Sequence, residues 1–313
     1  MDKPNERSLH VVPTVRGAGI VFIFLFLTAL LFFAYLLDYS WKNWLPLFGG
    51  AILISGVSFC DDLFHLSAKT RFGVQCVVAG FVLVVTCPSV LDFLFFPVAM
   101  PYLIVSLLFF IMLWAINHFN FMDGLDGFCG AQGLFLFLAY GFLFGQQEAV
   151  FYQYLCYVMV LGLVGFLLFN LPPAKVFMGD VGSATLGFIS FYMALAGQKY
   201  YQIPIGYWFI LNSLFLFDAT LTLLRRIFNH EKWFAPHKKH AYQRLKQYGF
   251  STYVILLGQL LINSLLFIGL YLIHCHLLNN FVVLIFMMVL LLGVYLFAEK
   301  YYPMFPEKLL SSK

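Results

Sequence analysis

The chain has 313 residues, of which 62% are hydrophobic and only 10% charged, with a net charge of +4 and a mean hydropathy of +0.89. Soluble domains carry roughly 25% charged residues, so this composition excludes a soluble globular protein and indicates a polytopic membrane protein. The first 16 residues are polar and basic, and the apolar stretch behind them is too long for a signal-peptide core, so we expect no cleavable signal. The six cysteines form no CxxC pair and indicate neither disulfides nor metal ligands.

Ten apolar stretches are long enough, or nearly so, to cross a bilayer, which takes about 20 residues. We therefore predict an all-α protein with ten transmembrane helices, at residues 17–37, 45–60, 73–90, 98–116, 128–145, 150–170, 181–197, 204–224, 251–273 and 280–298. No segment has the composition of a soluble domain or a linker. We predict one transmembrane domain over residues 1–313, with an N-terminal cytoplasmic motif at 1–16 and its longest polar connection at 225–250.

The distribution of lysine and arginine predicts the orientation of these spans. Ten spans put both termini on one side of the membrane, and only Lys42 and Lys199 then fall on the other side. The sixteen remaining basic residues are Lys3, Arg7, Arg16, Lys69, Arg71, Lys175, Arg225, Arg226, Lys232, Lys238, Lys239, Arg244, Lys246, Lys300, Lys308 and Lys313. We therefore predict that this face is cytoplasmic. The same alternation places the polar motifs described next on it.

The most distinctive polar stretch is residues 117–127, which lie between two apolar runs. Within it Asn117, Asn120, Asp123 and Asp126 recur every third residue, a spacing that keeps them on neighbouring faces of a helix or aligns them in a 3₁₀ turn. A glycine follows each aspartate and lets the backbone leave the helix and approach a ligand closely. Two carboxamides and two carboxylates thus reach one edge of the membrane, which we predict to be the active site.

A pair of adjacent carboxylates, Asp61-Asp62, ends the second predicted span and is followed by a basic segment at 67–72 that contains Lys69. Adjacent carboxylates at a membrane edge repel each other unless they share a cation or a proton. The pair therefore indicates a role in binding a metal or handling a phosphate. A solvated helix end is the structural alternative.

Two glycine-containing segments at predicted helix starts are further candidate anion sites. Asp180, flanked by Gly179 and Gly182, opens the seventh predicted span, where a helix N-terminus favours an anion or an anion–metal complex. Aspartate is equally a good N-cap residue, so both interpretations stay open. The segment 5–19, which includes Arg16, fits either phosphate binding or positive-inside anchoring.

The long basic loop contains His237-Lys238-Lys239-His240. Its cations make it a poor metal site and a better contact for phosphate. A basic loop that is attracted to anionic lipid would show the same composition. Asp218, within the eighth predicted span, precedes Arg225 and Arg226 and is interpreted as a structural ion-pair partner of one of them.

Taken together, these motifs resemble the polyprenyl-phosphate N-acetylhexosamine-1-phosphate transferases (glycosyltransferase family 4), and most closely the branch that initiates O-antigen synthesis. That branch is related to the phospho-N-acetylmuramoyl-pentapeptide transferase of peptidoglycan synthesis. The resemblance covers nearly the whole chain, with NxRSxH and PTxRGxG at 5–19, Asp61-Asp62, NxxNxxDGxDG at 117–127, GDxGS at 179–183 and a histidine loop at 237–240.

The resemblance implies transfer of a sugar 1-phosphate from a UDP-N-acetylhexosamine, or a deoxy form of it, to undecaprenyl phosphate, with release of UMP. It also implies a multi-pass enzyme of the bacterial inner membrane with its active site facing the cytoplasm. No nucleic acid is expected as a partner, and a homodimer stays open.

The resemblance further implies roles for individual residues. Asp180, with help from Asn120, would bind Mg²⁺, with Mn²⁺ as an alternative. The implied catalytic residues are Asp61, Asp62, Asp180 and His240, and the first two would attend the lipid phosphate. The implied substrate-binding residues are Asn117, Asp123, Asp126, Lys69, His237 and Arg16.

Two features depart from the family pattern. Relatives often carry histidines where this chain has Tyr242 and Gln243, so only His240 retains its expected role in that group. Many relatives also have a span before the NxRSxH motif, so we expect that a helix is missing here, lost or truncated by a late start assignment.

A secondary transporter with carboxylates at the membrane edge is the alternative function. It would predict charges near the middle of the bilayer and inverted repeats, whereas these carboxylates cluster at helix ends and no repeat is evident. A CDP-alcohol phosphotransferase would need Ala-Arg soon after Asp-Gly, but Asp123-Gly124 is followed by Leu125-Asp126. The sequence leaves open the donor sugar, the glycan pathway, and direct attack versus a covalent intermediate.

Overall fold

The computed structural model describes residues 14–232, 235 and 237–305, so the NxRSxH motif at 5–10 lies outside the described residues. Of the described residues, 76% are helical, which confirms the prediction of an all-α polytopic membrane protein. The described helices α1 to α12 are, in order, Gly19–Leu36, Trp41–Phe64, Ala68–Thr86, Pro101–Phe121, Phe128–Gln146, Val150–Asn170, Gly179–Tyr201, Gly206–Leu211, Ser213–Phe228, Ala241–Tyr248, Thr252–His274 and Asn280–Tyr301. Four two-residue strands, β1 to β4, are Val15–Arg16, Leu91–Asp92, Pro97–Val98 and Val176–Phe177.

Eight of the described helices, α1 to α6, α11 and α12, are long and apolar enough to cross a membrane. The seventh predicted span is α7, whose residues 181–197 are all buried. Because α7 is surrounded by protein, it tolerates small and polar residues that a lipid-facing helix would not. The eighth predicted span is not one helix, since α8 ends at Leu211 and α9 begins at Ser213. The count of ten spans therefore stays a prediction.

The connection between α2 and α3 is short and returns the chain to the same edge. His65 ends α2 in the left-handed conformation, with φ +54°, and the Ser67 side chain accepts the Thr70 N–H at 3.1 Å to cap α3. Asp61 on the last turn of α2 and Arg71 on the first turn of α3 are thereby brought to one place.

The described chain forms two compact units, residues 14–209 and residues 210–305, here called the N-terminal and C-terminal units. In the N-terminal unit, α7 packs against α1, α2 and α4. A Cβ on Gly187 of α7 would lie 2.2 Å from the Ala115 carbonyl oxygen of α4, so this crossing requires glycine. In the C-terminal unit, Ala241 of α10 packs with Tyr295 and Ala298 of α12 in a small core. One domain over the whole chain stays a prediction.

Candidate active site

A short parallel pairing of β1 with β4 brings the PTxRGxG segment beside the GDxGS segment. Arg16 is opposite Phe177 in the strand register. The Phe177 carbonyl accepts the N–H groups of Gly17 and Ala18, at 3.1 and 3.0 Å. These bonds hold Arg16 next to the N-terminus of α7, where Asp180 lies.

Two glycines in these segments have backbone conformations that disfavour a side chain. Gly17 has φ +95° and Gly179 has φ +76°. A Cβ on Gly179 would also lie 2.8 Å from Oδ2 of Asp62. That oxygen accepts the Val181 N–H at 3.4 Å, at the first turn of α7. The glycine thus lets Asp62 reach a helix N-terminus, where the helix dipole favours a carboxylate.

Arg16 and Arg71 join three carboxylates into one chain of ion pairs. Arg16 contacts Asp62 through Nε and Oδ1 at 3.1 Å, and Asp180 through Nη2 and Oδ1 at 2.5 Å. Nη1 of Arg71 contacts the other Asp180 oxygen at 3.1 Å and Oδ2 of Asp61 at 2.6 Å. The order is therefore Asp62, Arg16, Asp180, Arg71, Asp61, and we call these five residues the Asp–Arg chain.

Within the Asp–Arg chain, the two arginine side chains are more exposed to solvent than the three aspartates. Their side chains are 36–38% exposed, whereas the aspartate side chains are 10–16% exposed. A guanidinium group presents planar pairs of donors that match phosphate oxygens. The arrangement therefore suits a ligand that carries phosphate, with the carboxylates orienting the arginines from below.

Arg71 is a site residue that the sequence analysis missed. The available signal was its place ten residues after Asp61, on the first turn of the next helix, so that a short connection returns it to the same edge. Lys69, which was predicted to contact phosphate, lies exposed on that same turn of α3. Its contact with a phosphate stays a prediction.

Two polar residues of the 117–127 stretch, Asn117 and Asp126, form side-chain hydrogen bonds to other parts of the protein. The Asn117 amide donates to Oε1 of Gln75 at 2.8 Å and to a carbonyl one turn earlier in α4 at 2.7 Å, which ties α4 to α3. Oδ2 of Asp126 accepts the Ala174 N–H at 3.1 Å. Both side chains therefore hold the scaffold together, and their substrate contacts stay predictions.

Asn120 and Asp123 differ from these two, because neither side chain forms a hydrogen bond or an ion pair to another described residue. Burial raises the pKa of Asp123 to about 7, with Arg16 opposing this shift and Asp180 and Asp62 adding to it. These three influences all come from the Asp–Arg chain. The connection between α4 and α5 therefore lies within electrostatic range of the Asp–Arg chain.

The oxygen donors at this site fit Mg²⁺. This ion prefers carboxylate, amide and phosphate oxygens, and it commonly takes only one or two protein carboxylates, while substrate phosphates and water complete its shell. Asp180 offers a carboxylate, and Asn120 an amide that bonds no other described residue. In the described part of the chain no three or more His, Cys, Asp or Glu residues are grouped to hold a metal. A Mg²⁺ ion here would therefore be shared with substrate phosphates.

The C-terminal unit holds both predicted histidines. His240 precedes α10, its side chain is 4% exposed, and its N–H donates to Oε1 of Gln243 at 3.3 Å. Nδ1 of His237 accepts the Lys239 N–H at 3.2 Å. Burial, followed by the neighbouring His240 and cations, lowers the pKa of His237 to about 3, so this imidazole is neutral. The phosphate contacts of both histidines stay predictions.

The interpretation that Asp218 pairs with Arg225 or Arg226 is wrong. Both Asp218 oxygens accept the Ala241 N–H, each at 2.9 Å. Arg225 and Arg226 pair instead with glutamates of the same unit, at 2.6 and 3.0 Å. Asp218 therefore holds the start of α10.

Two cations in or beside the histidine loop, Lys239 and Arg244, form ion pairs within the protein. Arg244 is 1% exposed and contacts Oε2 of Glu299 at 2.6 Å. Lys239 forms an ion pair with Glu231. The loop therefore offers less free positive charge to a phosphate than its composition indicates.

Comparison with protein families places the match on the N-terminal unit. The model of a family described as glycosyl transferase family 4 matches residues 44–198. This stretch contains the Asp61-Asp62 pair, Asn120, Asp123 and Asp180, and thus most of the site described above.

Individual relatives match over more of the chain. The chain is 30% identical over 273 residues to an undecaprenyl-phosphate alpha-N-acetylglucosaminyl 1-phosphate transferase of Yersinia pestis, a match that covers 80% of this chain and 71% of that protein. It is 28% identical over 260 residues, with the same coverage, to a probable undecaprenyl-phosphate N-acetylglucosaminyl 1-phosphate transferase of Bacillus subtilis. It is 32% identical over 229 residues to a phospho-N-acetylmuramoyl-pentapeptide-transferase of Listeria monocytogenes, covering 66% of this chain and 70% of that protein. These relatives are all transferases, which the transporter alternative does not predict.

Proposed function

Because the chain belongs to glycosyl transferase family 4, we propose that it is a polyprenyl-phosphate sugar-1-phosphate transferase with undecaprenyl phosphate as its acceptor. The donor in this proposal is a UDP-N-acetylhexosamine or a deoxy form of it, and the products are UMP and a lipid diphosphate sugar. This product would initiate O-antigen or another cell-envelope glycan. The enzyme would act in the bacterial inner membrane with its site facing the cytoplasm, an orientation that the placement of basic residues supports.

The Asp–Arg chain is the observation that carries this proposal. Both substrates are phosphate anions, so charge repulsion opposes their approach and the site must offset it. Arg16 and Arg71 present two guanidinium groups at the accessible side of three carboxylates. Phosphoryl transfer depends mainly on such positioning and charge stabilisation. The arrangement is therefore suited to bring two phosphate groups together.

Direct attack by the lipid phosphate is the mechanism we favour. A phosphate monoester has a second pKa near about 6, so its oxygen is largely ionised at neutral pH and needs no strong base. That oxygen forms a bond to the sugar-bearing phosphorus of the donor, the bridge to the UMP phosphate breaks, and UMP leaves with the electron pair. Asp61 and Asp62 then orient Arg71 and Arg16 toward the phosphates. A covalent aspartyl intermediate is the alternative mechanism.

Asp180 and Asn120 are the residues that would hold Mg²⁺ in this reaction. When bound, the ion would neutralise the bridging phosphates and stabilise the charge that moves onto leaving UMP. Asp180 is also the residue that Arg16 and Arg71 share. A ligand that takes the Asp180 oxygens would therefore free both arginines to pair with phosphate.

The test is to incubate membranes that contain the protein with Mg²⁺, undecaprenyl phosphate and each of several UDP-amino sugars, including UDP-N-acetylglucosamine and UDP-N-acetylgalactosamine. We expect UMP and a lipid diphosphate sugar in equal amounts from one or a few donors, identified by mass spectrometry. Membranes with the Asp180→Asn variant at matched expression are the control. Release of UDP in place of UMP would show that the sugar is transferred without its phosphate, and the proposal would then be wrong.

A further inference from the structure

Asp218 on α9 is a buried carboxylate to which the proposed reaction assigns no role. Its side chain is 8% exposed, and it accepts the Ala241 N–H at 2.9 Å with each oxygen and the Thr222 hydroxyl at 3.0 Å. A buried charge is costly unless it is compensated. Among the described residues, the basic group within ion-pair distance of Asp218 is the imidazole of His240, with 3.6 Å between Oδ1 and Nδ1.

The imidazole of His240 is oriented toward this carboxylate. Its Nδ1 is buried and has no hydrogen-bond partner in the described part of the chain. The Tyr242 ring lies nearly parallel to the imidazole, at 5.9 Å and 13°, and the His237 ring is centred 4.9 Å away. These neighbours set the plane of the ring, and Asp218 is the acceptor that Nδ1 faces.

We propose that Asp218 is a positioning residue for His240 in the transfer reaction. This inference rests on the proposed function and on the role that the family resemblance implies for His240, which is contact with a substrate phosphate. In an imidazolium both nitrogens are donors, so a proton on Nδ1 directed at Asp218 leaves the Nε2–H for a phosphate oxygen. A carboxylate behind a histidine fixes its orientation and its tautomer in this way.

The separation of 3.6 Å is longer than a hydrogen bond. Catalytic hydrogen bonds are often long in the free enzyme and shorten when substrate binds. The contact is thus arranged to tighten when the substrate arrives.

Asp218 also has a structural role that the test must separate from positioning. Its bonds to Ala241 cap the start of α10, and this contact stabilises the helix whatever stands at position 240. Asparagine at position 218 keeps an oxygen that accepts the Ala241 N–H but removes the charge that faces His240. The Asp218→Asn variant therefore alters positioning while it retains a cap.

The test is a double-mutant cycle on kcat with purified full-length protein, undecaprenyl phosphate and UDP-N-acetylglucosamine, or whichever donor the panel identifies. The variants are D218N, H240A and D218N/H240A. We expect D218N to lower kcat by about 10–100-fold when His240 is present. In the H240A background the same change should cost no more than about twofold, because the group through which Asp218 acts is gone.

Thr222→Val is the matched control, because it removes the hydroxyl that donates a hydrogen bond to Asp218 and leaves the Asp218 charge in place. We expect this variant to keep most of the activity. Thermal unfolding of every variant checks the fold. If D218N does not fold, Asp218→Glu, which displaces the charge by one methylene group, enters the same cycle. Equal losses in both backgrounds would overturn the inference and leave Asp218 as a helix cap. An H240A variant with wild-type kcat would instead show that His240 has no role in the proposed reaction. The inference that Asp218 positions His240 would then be wrong as well.

Discussion

Asp180 is the residue at which the candidate site converges. Its two oxygens contact different arginines, Arg16 at 2.5 Å and Arg71 at 3.1 Å. In a shielded network, removal of one carboxylate leaves its partners unpaired, which costs more than the loss of an exposed ion pair. Asp180 therefore couples the orientation of both arginines to whatever ligand its oxygens bind.

We expect Asp180→Asn to lose at least about 100-fold in kcat/KM, and Asn120→Ala to lose less. Raised Mg²⁺ should partly restore N120A, since a weakened metal site fills at higher metal concentration. Asn117→Ala is the matched control, because Asn117 bonds Gln75 and should not respond to Mg²⁺. The measurement is rate against Mg²⁺ concentration at matched expression. A wild-type rate that survives excess chelator would show that the metal assignment is wrong.

The raised pKa of Asp123 predicts a pH dependence. Burial raises this pKa to about 7, so the carboxyl group is mostly neutral at about pH 6 and mostly ionised at about pH 8. If the ionised form accepts hydrogen bonds from the donor nucleotide, kcat/KM for the UDP-sugar should rise about tenfold over this interval. The Asp123→Asn variant should lose this rise in kcat/KM. The Asp126→Asn variant should keep it, because Asp126 accepts a hydrogen bond from the Ala174 N–H and is not the group that sets the pH profile. A pH profile that D123N leaves unchanged would contradict the prediction.

The altered histidine loop gives a third prediction at the scale of residues. His240→Ala should cost about 3 kcal/mol of transition-state stabilisation, by analogy with a lost oxyanion donor. Gln243→Ala removes a hydrogen bond to the His240 backbone and should cost nearer about 1 kcal/mol, and Tyr242→Phe no more than that. The measurement is kcat/KM for the UDP-sugar in the three variants. If Y242F proves as damaging as H240A, the loop has a role other than phosphate neutralisation.

At the scale of elements, α7 fixes the distance between parts of the site. Asp180 is on its first turn, and two turns later Gly187 crosses α4 at Ala115, five residues before Asn120. The crossing is close because Gly187 has no Cβ. The carboxylate of one helix and the amide of the other are thus held by a backbone contact that hydropathy cannot reveal.

We expect Gly187→Ala to destabilise the protein by about 1–3 kcal/mol, because its Cβ would lie 2.2 Å from a backbone oxygen that has little room to move. Gly165→Ala, in the C-terminal half of α6, is the matched control, since a Cβ there meets nothing within 4 Å. That change should be neutral or slightly stabilising, as alanine is the better helix former. Thermal unfolding in detergent compares the two. Equal unfolding temperatures for the two variants would contradict the close contact between α7 and α4 at Gly187.

At the scale of the whole molecule, the charge distribution predicts ten spans with both termini in the cytoplasm. Two predicted spans leave the number of membrane crossings undecided. The seventh is α7, which is buried in protein, and the eighth is divided into the two helices α8 and α9. α7 is long enough to cross a membrane but is not apolar enough to count among the eight candidate spans, whereas α8 and α9 are each too short. Orientation therefore rests on the basic residues, which an experiment can test directly.

Labelling of cysteines from outside intact cells checks this topology. We expect a cysteine at the exposed position Lys42, and the exposed native Cys275, to react with a membrane-impermeant reagent. A cysteine that replaces Lys238 should react only after the membrane is opened, in a background without the other cysteines. Labelling at position 238 in intact cells would overturn the cytoplasmic placement of the histidine loop.

The sequence by itself determined the class of protein and the edge to which its polar motifs belong. Apolar runs of the length of a bilayer locate most helices, because the backbone of a span must satisfy its own hydrogen bonds in lipid. Strict alternation of spans then assigns Asp61, the 117–127 stretch and Asp180 to one face. Their motifs are specific enough to carry the family resemblance, which the comparisons confirm.

Only the tertiary structure decided what each polar side chain contacts. Arg71 and Asp180 are 109 positions apart in the sequence and form an ion pair. Asn117 and Asn120 are only three positions apart, yet the Asn117 amide forms hydrogen bonds within the protein and the Asn120 amide forms none to the described residues. Asp218 bonds Ala241, 23 positions away, and not the arginines that follow it. Side-chain partners depend on distances through space that the packing of α7 and the turns between helices set. Hydropathy and residue spacing carry no record of those distances.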